Sequence, residues 1–135
     1  EQPIEKGNEA LMRVLCEEGI LPIALDEELI GIHGFDEKRH LLQIIKPQYI
    51  ILKPSLHGGI YGCLEWIEIA RSMGIKWWMT SALESNIGLE MIARFAASFD
   101  LELAQGLGTG GLFHNNFKSD LVIKDGLLFL SNEKK

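Results

Sequence analysis

The sequence predicts an α/β fold, and three observations carry that expectation. Short apolar runs begin at residues 21, 49, 75 and 101, spaced 28, 26 and 26 residues apart; an amphipathic helical pattern fills each interval; and each run ends abruptly in polar residues or glycine. One strand plus one crossover helix accounts for such a period. Strands joined this way return in the same direction, so the sheet is expected to be parallel with right-handed connections.

The elements follow in order. In 8–18 the apolar Leu11, Met12, Val14 and Leu15 share a helical stripe, with Asn8 as cap and Gly19 as stop. The run 21–25 is a strand that gives way to Asp26, Glu27 and Glu28. Asp36 is expected to cap a second helix carrying Leu41, Leu42, Ile44 and Ile45, which Lys46-Pro47 ends because a residue before proline avoids the helical well. Residues 49–53, Tyr-Ile-Ile-Leu-Lys, form a second strand stopped by Pro54. After His57-Gly58-Gly59, the positions Leu64, Ile67, Ile69 and Met73 support a helix closing at Gly74, and 75–80 is a third strand. Ser85 or Asn86 caps a helix through Leu89, Ile92, Phe95 and Ala96, and 101–104 is expected as a fourth strand. Finally 121–123 and 127–130 flank Lys124-Asp125-Gly126, where Asp-Gly favours a tight hairpin turn. No linker or low-complexity tract interrupts the chain, so residues 1–135 are read as one folding unit with a frayed end at 132–135.

Composition narrows the function. Charged residues make up 24% and hydrophobic ones 47%, a globular balance. The net charge of −6 and the lack of a basic cluster argue against a nucleic-acid partner. No apolar run approaches the roughly 20 residues that span a bilayer, so no membrane partner is expected and the chain is read as soluble. Cys16 and Cys63 lie 47 residues apart with no metal-ligand spacing, and read as buried thiols in a reducing, cytoplasmic setting. The opening Glu-Gln-Pro reads as the start of a piece of a longer protein.

In parallel α/β folds, residues just past the C-terminal strand ends converge on one face, where ligands bind. Here these are Asp26 and Glu27, Lys53 and Ser55, Ser81 and Glu84, and Gln105 with the glycines after it. If Glu1 ends an earlier strand, it becomes a neighbour of Asp26. Two such carboxylates offer hard oxygen ligands to a divalent ion such as Mg²⁺, although strand-end acids also serve as caps or sit in water. Lys53 closes a very apolar run: it either snorkels or acts as a fixed cation beside a metal-bound carboxylate. Gly106, Gly108 and Gly111 formally match a dinucleotide loop, but no helical stripe follows in 112–118, and a close-approach loop fits better. His57 and His114 lack a paired acid or nucleophile and read as loop residues, while Trp66, Trp77 and Trp78 read as core.

Taken together these segments resemble the enolase superfamily, in its muconate-lactonizing-enzyme-like branch, and within it the family of o-succinylbenzoate synthases. Glu1-Gln2-Pro3 resembles the branch's Glu-x-Pro, Ala24-Leu25-Asp26-Glu27 its fifth-strand segment, and Leu52-Lys53-Pro54 its sixth-strand lysine segment. Thr80-Ser81-Ala82-Leu83-Glu84-Ser85-Asn86-Ile87-Gly88-Leu89 and Gln105-Gly106-Leu107-Gly108-Thr109-Gly110 resemble the synthases' seventh- and eighth-strand ends. The resemblance implies part of a modified (β/α) TIM-type barrel, from the end of strand 4 to strand 8 plus a C-terminal hairpin, without the capping domain and first barrel strands. It implies a Mg²⁺-dependent lyase acting through an enediolate on a small carboxylate: dehydration of 2-succinyl-6-hydroxy-2,4-cyclohexadiene-1-carboxylate to 2-succinylbenzoate in menaquinone biosynthesis. Glu1 and Asp26 would be metal ligands and Lys53 the cation stabilising the enediolate. Ser81, Gly106 and Gly108 would line the substrate pocket, and Glu27 would hold Lys53 by charge pairing. The family's third carboxylate and its Lys-x-Lys base pair have no counterpart here, so the isolated chain is expected to be inactive and to self-associate. A sister cycloisomerase or dipeptide epimerase, an anion- or nucleotide-binding module, and a non-catalytic assembly unit are the alternatives.

Overall fold

The structure is a computed structural model and describes residues 1–131; the frayed end expected at 132–135 lies outside the described residues. The chain divides into two compact units, Glu1–Trp78 and Met79–Lys135.

In the first unit the capping signals act as the sequence predicts. Helix α1 (Glu9–Glu18) starts where Asn8 Oδ1 accepts the Leu11 N–H at 3.3 Å, and ends where Gly19 turns left-handed at φ 63°. Strand β1 (Ala24–Leu25) is shorter than the expected 21–25. It runs directly into a 3-10 turn, Glu27–Leu29. Helix α2 (Phe35–Ile45) begins after Gly34, whose N–H donates to Glu37 Oε2 at 3.3 Å; Asp36 therefore sits inside the first turn rather than capping it. Lys46, squeezed by Pro47, leaves the helix at φ 55°. Strand β2 (Tyr49–Leu52) and helix α3 (Gly59–Ser72) follow, then strand β3 (Lys76–Met79), giving a sheet in the order β1-β2-β3. β1 and β2 are parallel, with Ala24 opposite Tyr49 and Leu25 opposite Ile50.

The core of this unit is Leu25, Leu29, Leu42, Ile45, Ile50 and Trp66, all essentially inaccessible to water. Each such side chain contributes about 1.5–3 kcal/mol on leaving water. Trp77 and Trp78 are half-buried rather than core: they stand on β3, Trp78 against Tyr49 with ring centroids 5.8 Å apart and Trp77 under the Arg71 guanidinium. Where α2 meets α3, the buried ammonium of Lys38 bonds Glu65 Oε2 at 2.6 Å and the Gly62 carbonyl at 3.2 Å, over the face of Trp66. Cys16 and Cys63 are free and buried, as expected, and burial pushes the Cys63 thiol up to about 12.

In the second unit helix α4 (Asn86–Ala96) buries Leu89, Ile92 and Ala96. Strands β4 (Leu121–Lys124) and β5 (Leu127–Leu130) form the expected antiparallel hairpin, with Asp125 and Gly126 at φ 52° and 76°, the signs that a two-residue hairpin turn requires. The expected fourth strand at 101–104 does not form: the chain is bridged only just past it, through an isolated parallel bridge of Thr80 with Gly106. The cause is a side chain in the ladder. The Met79 N–H, which a neighbouring carbonyl would otherwise take, goes to Gln105 Oε1 at 2.8 Å, and Gln105 Nε2 turns back to the Leu103 carbonyl. Loop 106–111 is followed by turns rather than a helix, so the geometry of a dinucleotide loop is absent. No helix among the described residues is long and apolar enough to cross a membrane.

Candidate active site

Asp26 is the first residue past β1 and Lys53 the first past β2. Asp26 is 1% exposed. Its Oδ2 accepts the Lys53 ammonium, while Oδ1 is buried with no hydrogen-bond partner among the described residues. Burying a carboxylate is costly without a cation against it, and the Lys53 ammonium supplies one.

Each partner is held from behind. Gln2, in the left-handed region at φ 35°, donates its N–H to the Ala24 carbonyl at 2.8 Å, and its Oε1 accepts the Asp26 N–H at 3.1 Å. Its Nε2 reaches Glu28 Oε2 at 3.1 Å, and Glu28 Oε1 accepts the Gly7 N–H at 2.9 Å. This brings the backbone of residues 1–2 beside β1; the Glu1 side chain itself is exposed. Lys53 is held by His57, whose Nδ1 accepts the Lys53 backbone N–H at 3.0 Å. His57 is 2% exposed, and burial, with Lys53 and Lys38 adding to it, lowers its pKa to about 4, so the ring is neutral at ordinary pH.

Glu27, expected to hold Lys53 by charge, does not do so. The ion pair of Lys53 goes to Asp26, because the chain enters the 3-10 turn at residue 27 and leaves that side chain in solvent. His57 is likewise no ordinary loop residue. The sequence holds a signal for it: a histidine four residues after the lysine, beyond a proline that cannot donate. Gln2, next to Glu1, carries no comparable signal.

In the second unit, Ser81 and Gly106 come together: the Ser81 N–H donates to the Gly106 carbonyl at 3.0 Å, and the Gly106 N–H to the Met79 carbonyl at 2.8 Å. The Ser81 hydroxyl donates to Glu84 Oε2 at 2.7 Å and accepts the Leu83 N–H at 2.8 Å, closing a tight turn with Leu83 at φ 66°. Gly108 is exposed, with open space beside it except for the Ile123 tip. Among the described residues no group of three or more His, Cys, Asp or Glu side chains is gathered so as to hold a metal ion.

Comparison with known proteins agrees with this architecture. The enolase C-terminal domain-like family matches residues 1–134. The chain is 51% identical over 131 residues to an o-succinylbenzoate synthase of Desulfotalea psychrophila, covering 97% of this chain and 35% of that protein. It is 32% identical over 122 residues to the o-succinylbenzoate synthase of Haemophilus influenzae, covering 87% and 36%. The crystal structure of MenC from Desulfotalea psychrophila superposes with a TM-score of 0.90 at 50% identity, over 94% of this chain and 35% of that one. The chain thus spans about a third of the length of the curated relatives it matches. It belongs to the enolase C-terminal domain-like family.

Proposed function

We propose that the chain is the C-terminal part of the barrel domain of an o-succinylbenzoate synthase, a lyase that dehydrates 2-succinyl-6-hydroxy-2,4-cyclohexadiene-1-carboxylate to 2-succinylbenzoate in menaquinone biosynthesis. The observation that carries the reading is the buried Asp26, tied through one oxygen to Lys53, its other oxygen without a hydrogen-bond partner among the described residues. The 51% identity to a synthase supports this activity over a sister cycloisomerase or epimerase.

The cofactor in this reading is Mg²⁺, which when bound supplies divalent charge to a substrate carboxylate. Asp26 fits such an ion: a buried oxygen without a hydrogen-bond donor is a hard ligand awaiting a cation. Glu1, one residue before the Gln2 that binds Ala24, would be the second ligand. In this reading the Lys53 ammonium would lower the energy of negative charge building on the substrate as the proton beside the carboxylate leaves. Little water reaches the pair, so that charge counts for more there than at a surface. Ser81, Gly106 and Gly108 would line the pocket, Ser81 through its backbone turn because its hydroxyl is engaged by Glu84.

The same reading takes the isolated chain to be without turnover and to self-associate; exposed Ile20, Leu21, Tyr61, Leu112 and Phe117 support the latter. Two free buried thiols support a reducing, cytoplasmic setting. The test is an assay of the full-length protein carrying this chain, with and without Mg²⁺, on the cyclohexadiene carboxylate, a muconate and a dipeptide. Mg²⁺-dependent formation of 2-succinylbenzoate is expected; turnover confined to either other substrate overturns the assignment.

A further inference from the structure

We propose that His57 is a positioning residue for Lys53: by taking the backbone N–H of Lys53 on its ring, it fixes the point from which the ammonium reaches Asp26. The inference rests on the role given to Lys53 above and adds a residue that this role requires.

The need arises from the chain itself. β2 ends at Leu52, so Lys53 has left the sheet ladder, and Pro54 beside it has no N–H to offer. The Lys53 N–H goes to His57 Nδ1 at 3.0 Å. The Lys53 carbonyl in turn accepts the N–H groups of Leu56 at 2.8 Å and His57 at 3.1 Å. Lys53 is therefore gripped on both backbone faces by His57, once by its ring and once by its own amide.

His57 is itself fixed. Its carbonyl lies so close to Gly62 that a Cβ there would overlap it, and Gly58 and Gly59, both left-handed, turn the chain straight into α3. The Gly62 carbonyl is in turn bonded by the buried Lys38. The sheet-end lysine is thus referenced to the packing of α2 on α3 through one imidazole.

The ring also carries a cost that space-filling does not explain. A neutral imidazole that accepts at Nδ1 has its proton on Nε2, and that nitrogen is buried without a partner among the described residues. Burying such a donor is costly, and a phenyl ring of similar volume carries no such penalty. What the imidazole offers over an apolar ring is the acceptor facing Lys53. Placement at that point matters because a shift of about 1 Å in a reacting group can lower a rate by about 100-fold.

The test uses the full-length protein. His57→Phe keeps the ring volume and removes the acceptor; His57→Asn places an amide oxygen near the position of Nδ1. We expect His57→Phe to lower kcat by about 10–100-fold with little change in KM, and His57→Asn to recover most of the loss. Wild-type kcat in a folded His57→Phe, or His57→Asn as impaired as His57→Phe, overturns the inference. Lys53→Ala is assayed beside them. If it turns over normally, the role of Lys53 fails and this inference with it; if it is inactive while His57→Phe is unimpaired, only the inference fails. Should His57→Phe not fold, long-range ¹H–¹⁵N correlation of the wild-type imidazole decides: a proton on Nε2 is expected, and a proton on Nδ1 contradicts the arrangement.

Discussion

The Lys53 ammonium rests on Oδ2 of Asp26, tying the first residue past β1 to the first residue past β2 at one end of the sheet. The strand register explains the meeting. With Leu25 opposite Ile50, the two parallel strands end side by side, and the residues that follow them, Asp26 and Lys53, meet just beyond the ladder.

The two halves of this pair are not equivalent, and their removal should show it. The Asp26 side chain is 2% exposed and that of Lys53 18%. Lys53→Met leaves a buried carboxylate with neither oxygen satisfied and is expected to cost about 3–5 kcal/mol. Asp26→Asn leaves an ammonium nearer water and should cost less, about 1–3 kcal/mol. Urea denaturation at pH 7 measures both; the opposite order would contradict the burial argument.

His57 should make stability depend on pH within a defined window. Its folded pKa, about 4, lies below the ordinary histidine value of 6.5. The contribution is therefore whole above pH 6.5, is lost as pH falls and the unfolded chain takes up a proton the folded chain refuses, and is gone below about pH 4. The shift corresponds to about 3 kcal/mol. The unfolding free energy of wild type minus that of His57→Phe, followed from pH 7.5 to 4, should fall by about that amount, whatever its sign at pH 7.5. A difference that is flat across the window contradicts a buried neutral imidazole.

Gly62→Ala tests the backing of the same residue. An added Cβ would run into the His57 carbonyl, which is backbone and cannot swing aside. The expected destabilisation is about 1–3 kcal/mol or more, read as a lowered midpoint in thermal unfolding. Gly111→Ala, where a Cβ meets open space, is the control and should leave the midpoint within about 2 °C.

Where local chemistry decides structure, the sequence was legible. Asn8 and Gly19 bound α1, Lys46-Pro47 ends α2, and Asp125-Gly126 makes the hairpin turn, each by a preference that neighbours scarcely alter. The placement of Asp26 and Lys53 at adjacent strand ends was legible for a related reason: the βα period fixes which residues leave the sheet together. What escaped were contacts made by long side chains acting as backbone. Gln105 fills a ladder position and prevents the strand at 101–104, and Gln2 reaches Asp26 from 24 residues away. Neither leaves a periodic trace. Glu27 was misjudged by a single position, because the abrupt turn after β1 depends on where the ladder stops rather than on composition.

The most direct test of the Asp26–Lys53 site is turnover of the full-length protein with Lys53→Ala and Asp26→Asn made separately. Each is expected to lower kcat by about 1,000-fold or more, with Asp26→Asn also weakening Mg²⁺ binding in calorimetry. Undiminished turnover in both variants would contradict the account.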